Sequence, residues 1–119
     1  MNRKPAEKFQ DLIVWQKAHA LVLRVYAITK GFPKEELFGL TSQMRRSAVS
    51  VPANIAEGFK RRSKADKARV LNIAEGSLEE LRYFFILATD LGYAPKGSYE
   101  RDAEEVARML SAYIRTITE

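Results

Sequence analysis

The sequence contains no cysteine. Disulfides, thiolate nucleophiles and cysteine-ligated metal centres are thereby excluded, and the chain suits a reducing compartment. It contains one histidine, His19, with no second histidine or cysteine to complete a ligand set. The Glu-x-x-His pairs that build di-metal sites inside helical bundles do not occur. Neither does a glycine-rich phosphate loop or a nucleophile–base constellation. No apolar run approaches the roughly 20 residues that span a bilayer. The opening residues, MNRKPAEKFQDL, lack the apolar stretch of a signal peptide. No stretch alternates in the way a half-buried strand does. These absences lead away from an enzyme, a metal, a cofactor, a small-molecule substrate and a membrane, and toward a cytoplasmic protein.

What is present is helical periodicity. The 119 residues are 46% hydrophobic and 29% charged, an ordinary globular balance. Residues 1–119 read as one domain. Trp15, Ala18, Val22, Val25 and Thr29 recur at spacings of three and four, which predicts a helix over about 9–31, ended by Gly31 and the Phe32-Pro33 pair. Leu40, Met44, Ala48, Val51, Ile55 and Phe59 predict a second helix over 40–60, with Thr41 or Ser42 as its N-cap. Pro52 lies inside that pattern. The apolar phase continues across it, which favours one helix loosened at the proline over two separate ones. Ser63 is placed to cap a third helix over 64–91, which carries apolar seams on more than one side and so predicts cover from another subunit. Gly92, Pro95 and Gly97 mark a loop before a fourth helix over 99–117. Four helices with short loops predict an all-α, antiparallel up-down-up-down four-helix bundle.

Two features stand out between Leu40 and Leu81. The pentapeptide NIAEG occurs twice, at Asn54–Gly58 and Asn72–Gly76. A glycine in a helix interior costs about 1 kcal/mol relative to alanine, so Gly76 is expected to mark close packing. A polar stripe also runs down the second helix through Gln43, Arg46, Ser50, Asn54 and Glu57. It reads as a structural network between helices or subunits, with Arg45 or Arg46 neutralising Glu57. Carboxylates and serines on one face admit an acid–base reading too, but no nucleophile–base pair supports it.

The charge is uneven. The net charge is +5, and residues 60–69 alone hold Lys60, Arg61, Arg62, Lys64, Lys67 and Arg69 against Asp66. The last fifty residues are net acidic, with acids crowding the start of the fourth helix, where the helix dipole favours them. Repeated around an oligomer, the basic cluster would bind nucleic-acid phosphates with steep salt dependence and little sequence preference. Trp15, Phe59 and Tyr83 fall on or near apolar seams and are assigned to the core rather than to base stacking. The rival reading is a scaffold or adaptor for a protein partner. There the basic end is used in assembly, against the acidic fourth helix of another subunit.

The segments FQDL with WQKA at residues 9–12 and 15–18, Phe32-Pro33 with Glu36, LTSQ with Arg45-Arg46, Ser50-Val51-Pro52, and NIAEG at Asn54–Gly58 form a joint pattern. Ala74 with Gly76-Ser77, Glu80-Leu81 and Leu91-Gly92-Tyr93 extend it to essentially the whole chain. The pattern resembles the four-helix bundle protein family whose first members are encoded in intervening sequences of bacterial 23S rRNA genes. The resemblance implies a cytoplasmic four-helix bundle assembling into a ring-like homopentamer. It also implies a fold relationship to the accessory protein of diversity-generating retroelements, a basic pentamer that binds nucleic acid. The expected function is therefore non-enzymatic binding of RNA or DNA, RNA foremost, by a homo-oligomer through its basic helix-two/helix-three end.

Overall fold

The computed structural model describes residues 5–119. Among them are four α-helices and two short 3-10 turns, with no strand. The helices are α1 (Ile13–Thr29), α2 (Leu40–Lys60), α3 (Lys64–Asp90) and α4 (Ser98–Thr118). α1 packs against α2 and α4, and α3 packs against the same two. The α2–α3 pair shares the longest contact, and the molecule measures 45 × 29 × 20 Å. Each helix supplies an apolar stripe to one core, with Val25, Met44, Ile55, Leu71, Leu81 and Leu110 all at or near zero exposure.

The first helix begins later than its apolar phase suggests. Phe9–Asp11 form a 3-10 turn and Leu12 is extended, with φ −75° and ψ 123°. The Asp11 carboxylate holds this turn by accepting from the backbone N–H groups of Glu7 and Lys8 at 3.1 and 3.3 Å. At the other end the Thr29 hydroxyl donates back to the Val25 carbonyl at 2.8 Å as the helix closes. Neither Thr41 nor Ser42 caps α2. The Glu36 carboxylate takes that place, accepting from the Leu40 N–H at 3.1 Å. Its other oxygen accepts from the Tyr93 hydroxyl at 2.9 Å, tying the α1–α2 connection to the chain beyond α3. That hydrogen bond is the main reason the Tyr93 phenol is raised above its ordinary value, with burial and the charges of Glu36 and Glu35 adding to it.

α2 runs unbroken through a buried Pro52. α3 begins as its sequence suggests, with the Ser63 hydroxyl accepting from the Asp66 N–H at 3.1 Å. It ends on Gly92 in the left-handed region at φ 79°, where Tyr93 N–H reaches Ala88 O and Gly92 N–H reaches Thr89 O. This is the double closure that favours glycine after a helix. Ion pairs join α4 to its two neighbours: Asp102 to Arg24 at 2.6 Å, Glu105 to Lys17 at 3.5 Å, and Glu104 to Arg82 at 3.9 Å. No described helix is long and apolar enough to cross a membrane.

Two packing expectations are corrected. Tyr83 is not a core residue: it is 56% exposed on the outer side of α3. Gly76 marks no close approach within the chain, since a Cβ there would meet nothing within 4 Å. The close approach is at Gly58, where a Cβ would lie 3.1 Å from the Leu71 side chain.

Candidate nucleic-acid interface

The basic cluster occupies the junction of α2 and α3. Gly58 lets Leu71 of α3 come close to α2, which keeps the two helices tight as they meet. Arg61 and Ser63 are both extended, and the connection between helices is only Arg61–Ser63. The last carbonyls of α2 lack partners within their own helix, as at any helix C-terminus. Lys67 supplies one. Its ammonium donates to Phe59 O at 2.7 Å and Gly58 O at 3.3 Å, and lies 5.6 Å from the Phe59 ring centroid. A cation at the negative end of the α2 dipole is favourable there. Lys67 is thus turned inward, and its contribution to the junction is to hold it.

The other five cations point to solvent. Arg61 pairs with Glu57 one turn back at 3.6 Å, and Arg69 with Asp66 at 3.9 Å. Exposed pairs of this kind are weak and exchange readily for another anion. Lys60, Arg62 and Lys64 are exposed, and among the described residues no carboxylate lies within 4.0 Å of them. The junction is therefore a narrow tip with three unpaired cations, two loosely paired ones and an internal lysine clamp.

The polar stripe of α2 divides. Ser50 Oγ lies 2.7 Å from Ser77 Oγ of α3, and the Asn54 amide donates to the Ser50 carbonyl and hydroxyl at 2.8 and 2.9 Å. Ser47, buried, donates to Glu80 of α3 at 2.5 Å. Glu57 takes no part: its partner is Arg61, not Arg45 or Arg46. Arg45 instead donates to the Thr29 hydroxyl at 2.9 Å and lies over the Tyr26 ring at 4.7 Å. Gln43 and Arg46 border an open groove with Ser47, Ser50, Ser77 and Glu80, and their side chains make no hydrogen bond among the described residues. Sequence reasoning left Ser77 out of this network and did not pair Glu80 with Ser47. A usable signal existed: each stands as far beyond the Ser63–Lys64 junction as its partner, Ser50 or Ser47, stands before it.

The chemistry on offer is cohesive and electrostatic. Ser47 and Ser50 tie α2 to Glu80 and Ser77 of α3, Asn54 braces Ser50 within α2, and no hydroxyl among them is aligned with a histidine base. The lone His19 is stacked on Trp15, with ring centroids 5.1 Å apart and planes 7° apart. Among the described residues no group of three or more histidine or carboxylate side chains is arranged to hold a metal ion.

The fold and the tip together define an all-α protein of four helices whose most basic surface is a single interhelical junction. The chain belongs to the 23S rRNA-intervening sequence protein family, whose family model matches residues 10–112. It is similar to the 1.70 Å crystal structure of a protein of unknown function from the S23 ribosomal protein family of Bacteroides thetaiotaomicron VPI-5482. The two share 28% identity at a TM-score of 0.79, over 87% of this chain and 96% of the other. No curated protein matches the chain.

Proposed function

We propose that this protein is a non-enzymatic, cytoplasmic helical bundle that assembles into a ring-like homo-oligomer. Its basic α2–α3 tip binds nucleic acid, RNA foremost, through the phosphate backbone. The bundle is up-down-up-down and antiparallel, a reading supported by short connections and by each helix packing on its neighbour in sequence. Lys60, Arg61, Arg62, Lys64 and Arg69 make the phosphate contacts, while Lys67 positions the tip from within. The observation that carries the reading is the group of unpaired cations, Lys60, Arg62 and Lys64, on a rigidly closed turn. Copies of the tip around a ring would multiply the effect by raising the local concentration of contacts.

The test is a salt titration of binding to labelled single-stranded RNA and duplex DNA, read by fluorescence anisotropy. Five phosphate contacts on a single strand give a slope of log K against log salt of about −3.5. Replacing Lys60, Arg61 and Arg62 together by alanine flattens that slope by about 2 and weakens binding at low salt at least tenfold. Absence of binding at low salt, or binding indifferent to the triple replacement, overturns the proposal. No specific contact favours the rival protein-partner reading. Asp102, Glu104 and Glu105 already face cations of α1 and α3.

A further inference from the structure

A domain of this size leaves single hydrophobic side chains at its surface without consequence, but grouped ones mark contacts. Among the described residues, nine large hydrophobic side chains are more than a third exposed. They sort into two groups, and none lies on α4. Leu23, Tyr26, Leu37, Phe38 and Val49 lie on α1, the α1–α2 connection and α2, whereas Ile73, Tyr83, Ile86 and Leu91 lie on α3 and the residue that ends it.

All of the first group but Leu23 line a groove. It has a volume of about 610 Å³, and its walls include Tyr26, Leu37, Phe38, Arg45, Arg46 and Val49. No carboxylate lines it. Phe38 is 92% exposed, so its ring stands almost free beside the opening. Arg46 is exposed, with no ion-pair partner among the described residues. The groove is therefore apolar with a basic wall.

The second group has the opposite character. Tyr83 and Ile86 adjoin at helical spacing on the outer side of α3, and Gly76 and Ile73 lie two to three turns nearer its start. Glu75, Glu79 and Asp90 lie on the same helix around Tyr83 and Ile86, and Glu79 pairs with Arg82 at 3.2 Å. Gly76 sits in the middle with open space around it, at a cost in helix propensity that no contact inside the chain repays. A bare position on an exposed helix face admits a close-packed neighbour. This face is therefore apolar at Tyr83 and Ile86 with acids beside them, and bare at Gly76.

We propose that these two surfaces fit each other. The outer face of α3, from Ile73 to Ile86, seats in the Phe38–Arg46 groove of a second copy of this chain. Tyr83 and Ile86 fill the groove against Phe38, and Arg46 meets Glu75, which has no ion-pair partner among the described residues. The charge complementarity selects a second copy as the occupant, since the chain carries both halves. The halves are different surfaces, so the contact is heterologous, and its repetition closes into a ring when the rotation allows. The inference rests on the homo-oligomer reading above and assigns it its surfaces. It does not involve the basic tip.

The test compares molar masses by sedimentation velocity for the wild-type chain, for Phe38→Asp, for Tyr83→Asp, and for an equimolar mixture of the two variants. Both side chains are exposed, so helicity by circular dichroism stays at the wild-type level. Arg46→Glu supplies a second, independent lesion on the groove side. The expected result is an oligomeric wild type, single chains for each variant alone, and a one-to-one dimer in the mixture. One intact groove and one intact α3 face meet there once and cannot extend. A wild type that sediments as a single chain overturns both this assignment and the homo-oligomer reading. An oligomeric wild type whose size survives Phe38→Asp, Arg46→Glu and Tyr83→Asp overturns the assignment alone. So does a variant mixture that remains single chains.

Discussion

Asn54–Gly58 and Asn72–Gly76 are the same five residues on two helices packed against each other, and their surroundings are opposite. Ile55 is fully buried, while Ile73 is 46% exposed. Gly58 is pressed against Leu71, while Gly76 faces open space. Asn54 donates twice to Ser50, while the Asn72 side chain is exposed and makes no hydrogen bond among the described residues. The cause is phase. Ile55 continues the stripe of Met44, Ala48 and Val51, but in α3 the stripe runs through Leu71, Ala74 and Leu78, so the second isoleucine points away. A short word thus has no fixed structural meaning. Its helix face decides whether it is core, joint or surface.

Paired substitutions break the comparison in order of size, each followed by urea unfolding in the Phe38→Asp background so that single chains are measured. Ile55→Ala opens a cavity in the core and costs about 2–5 kcal/mol, whereas Ile73→Ala stays within about 0.5 kcal/mol of the parent. Equal losses would mean that Ile73 is buried in the single chain. The glycines come next, and they differ in sign. Gly58→Val forces Leu71 aside and destabilises by about 1–3 kcal/mol. Gly76→Ala meets nothing and stabilises by about 1 kcal/mol through helix propensity. The asparagines give the smallest contrast. Asn54→Ala removes two hydrogen bonds to Ser50 and costs about 1 kcal/mol, while Asn72→Ala leaves stability unchanged or raises it by a few tenths.

The features that could be read from the sequence were those set by local chemistry. Ser63 as a cap and Gly92 as a terminator follow from what a hydroxyl and a glycine do at helix ends, whatever lies nearby. The break at Leu12 escaped because leucine there keeps the apolar phase, and the carboxylate that holds the turn belongs to its neighbour Asp11. Glu36 escaped as the cap of α2 because it reaches over Gly39 from the preceding turn. At the candidate site the cluster of cations was visible, but the role of Lys67 was not. In sequence it is one lysine among six cations. Only the position of the α2 carboxyl end in space distinguishes it from Lys64. The same holds for the groove. Its walls come from α1, a connection and α2, and each contributes only one or two hydrophobic residues that look incidental alone.

The stack of Trp15 on His19 has an optical consequence. Trp15 is the only tryptophan of the chain, so its fluorescence comes from one place, the first turn after the Leu12 break, with Phe9 edge-on at 5.1 Å. Tyr26, on the groove wall, lies eleven residues further along α1, about 16 Å at the usual helical rise. Emission from Trp15 will therefore follow melting of the helix base and stay silent when copies join through the groove. The protein carries a built-in dye that separates unfolding from assembly without any label.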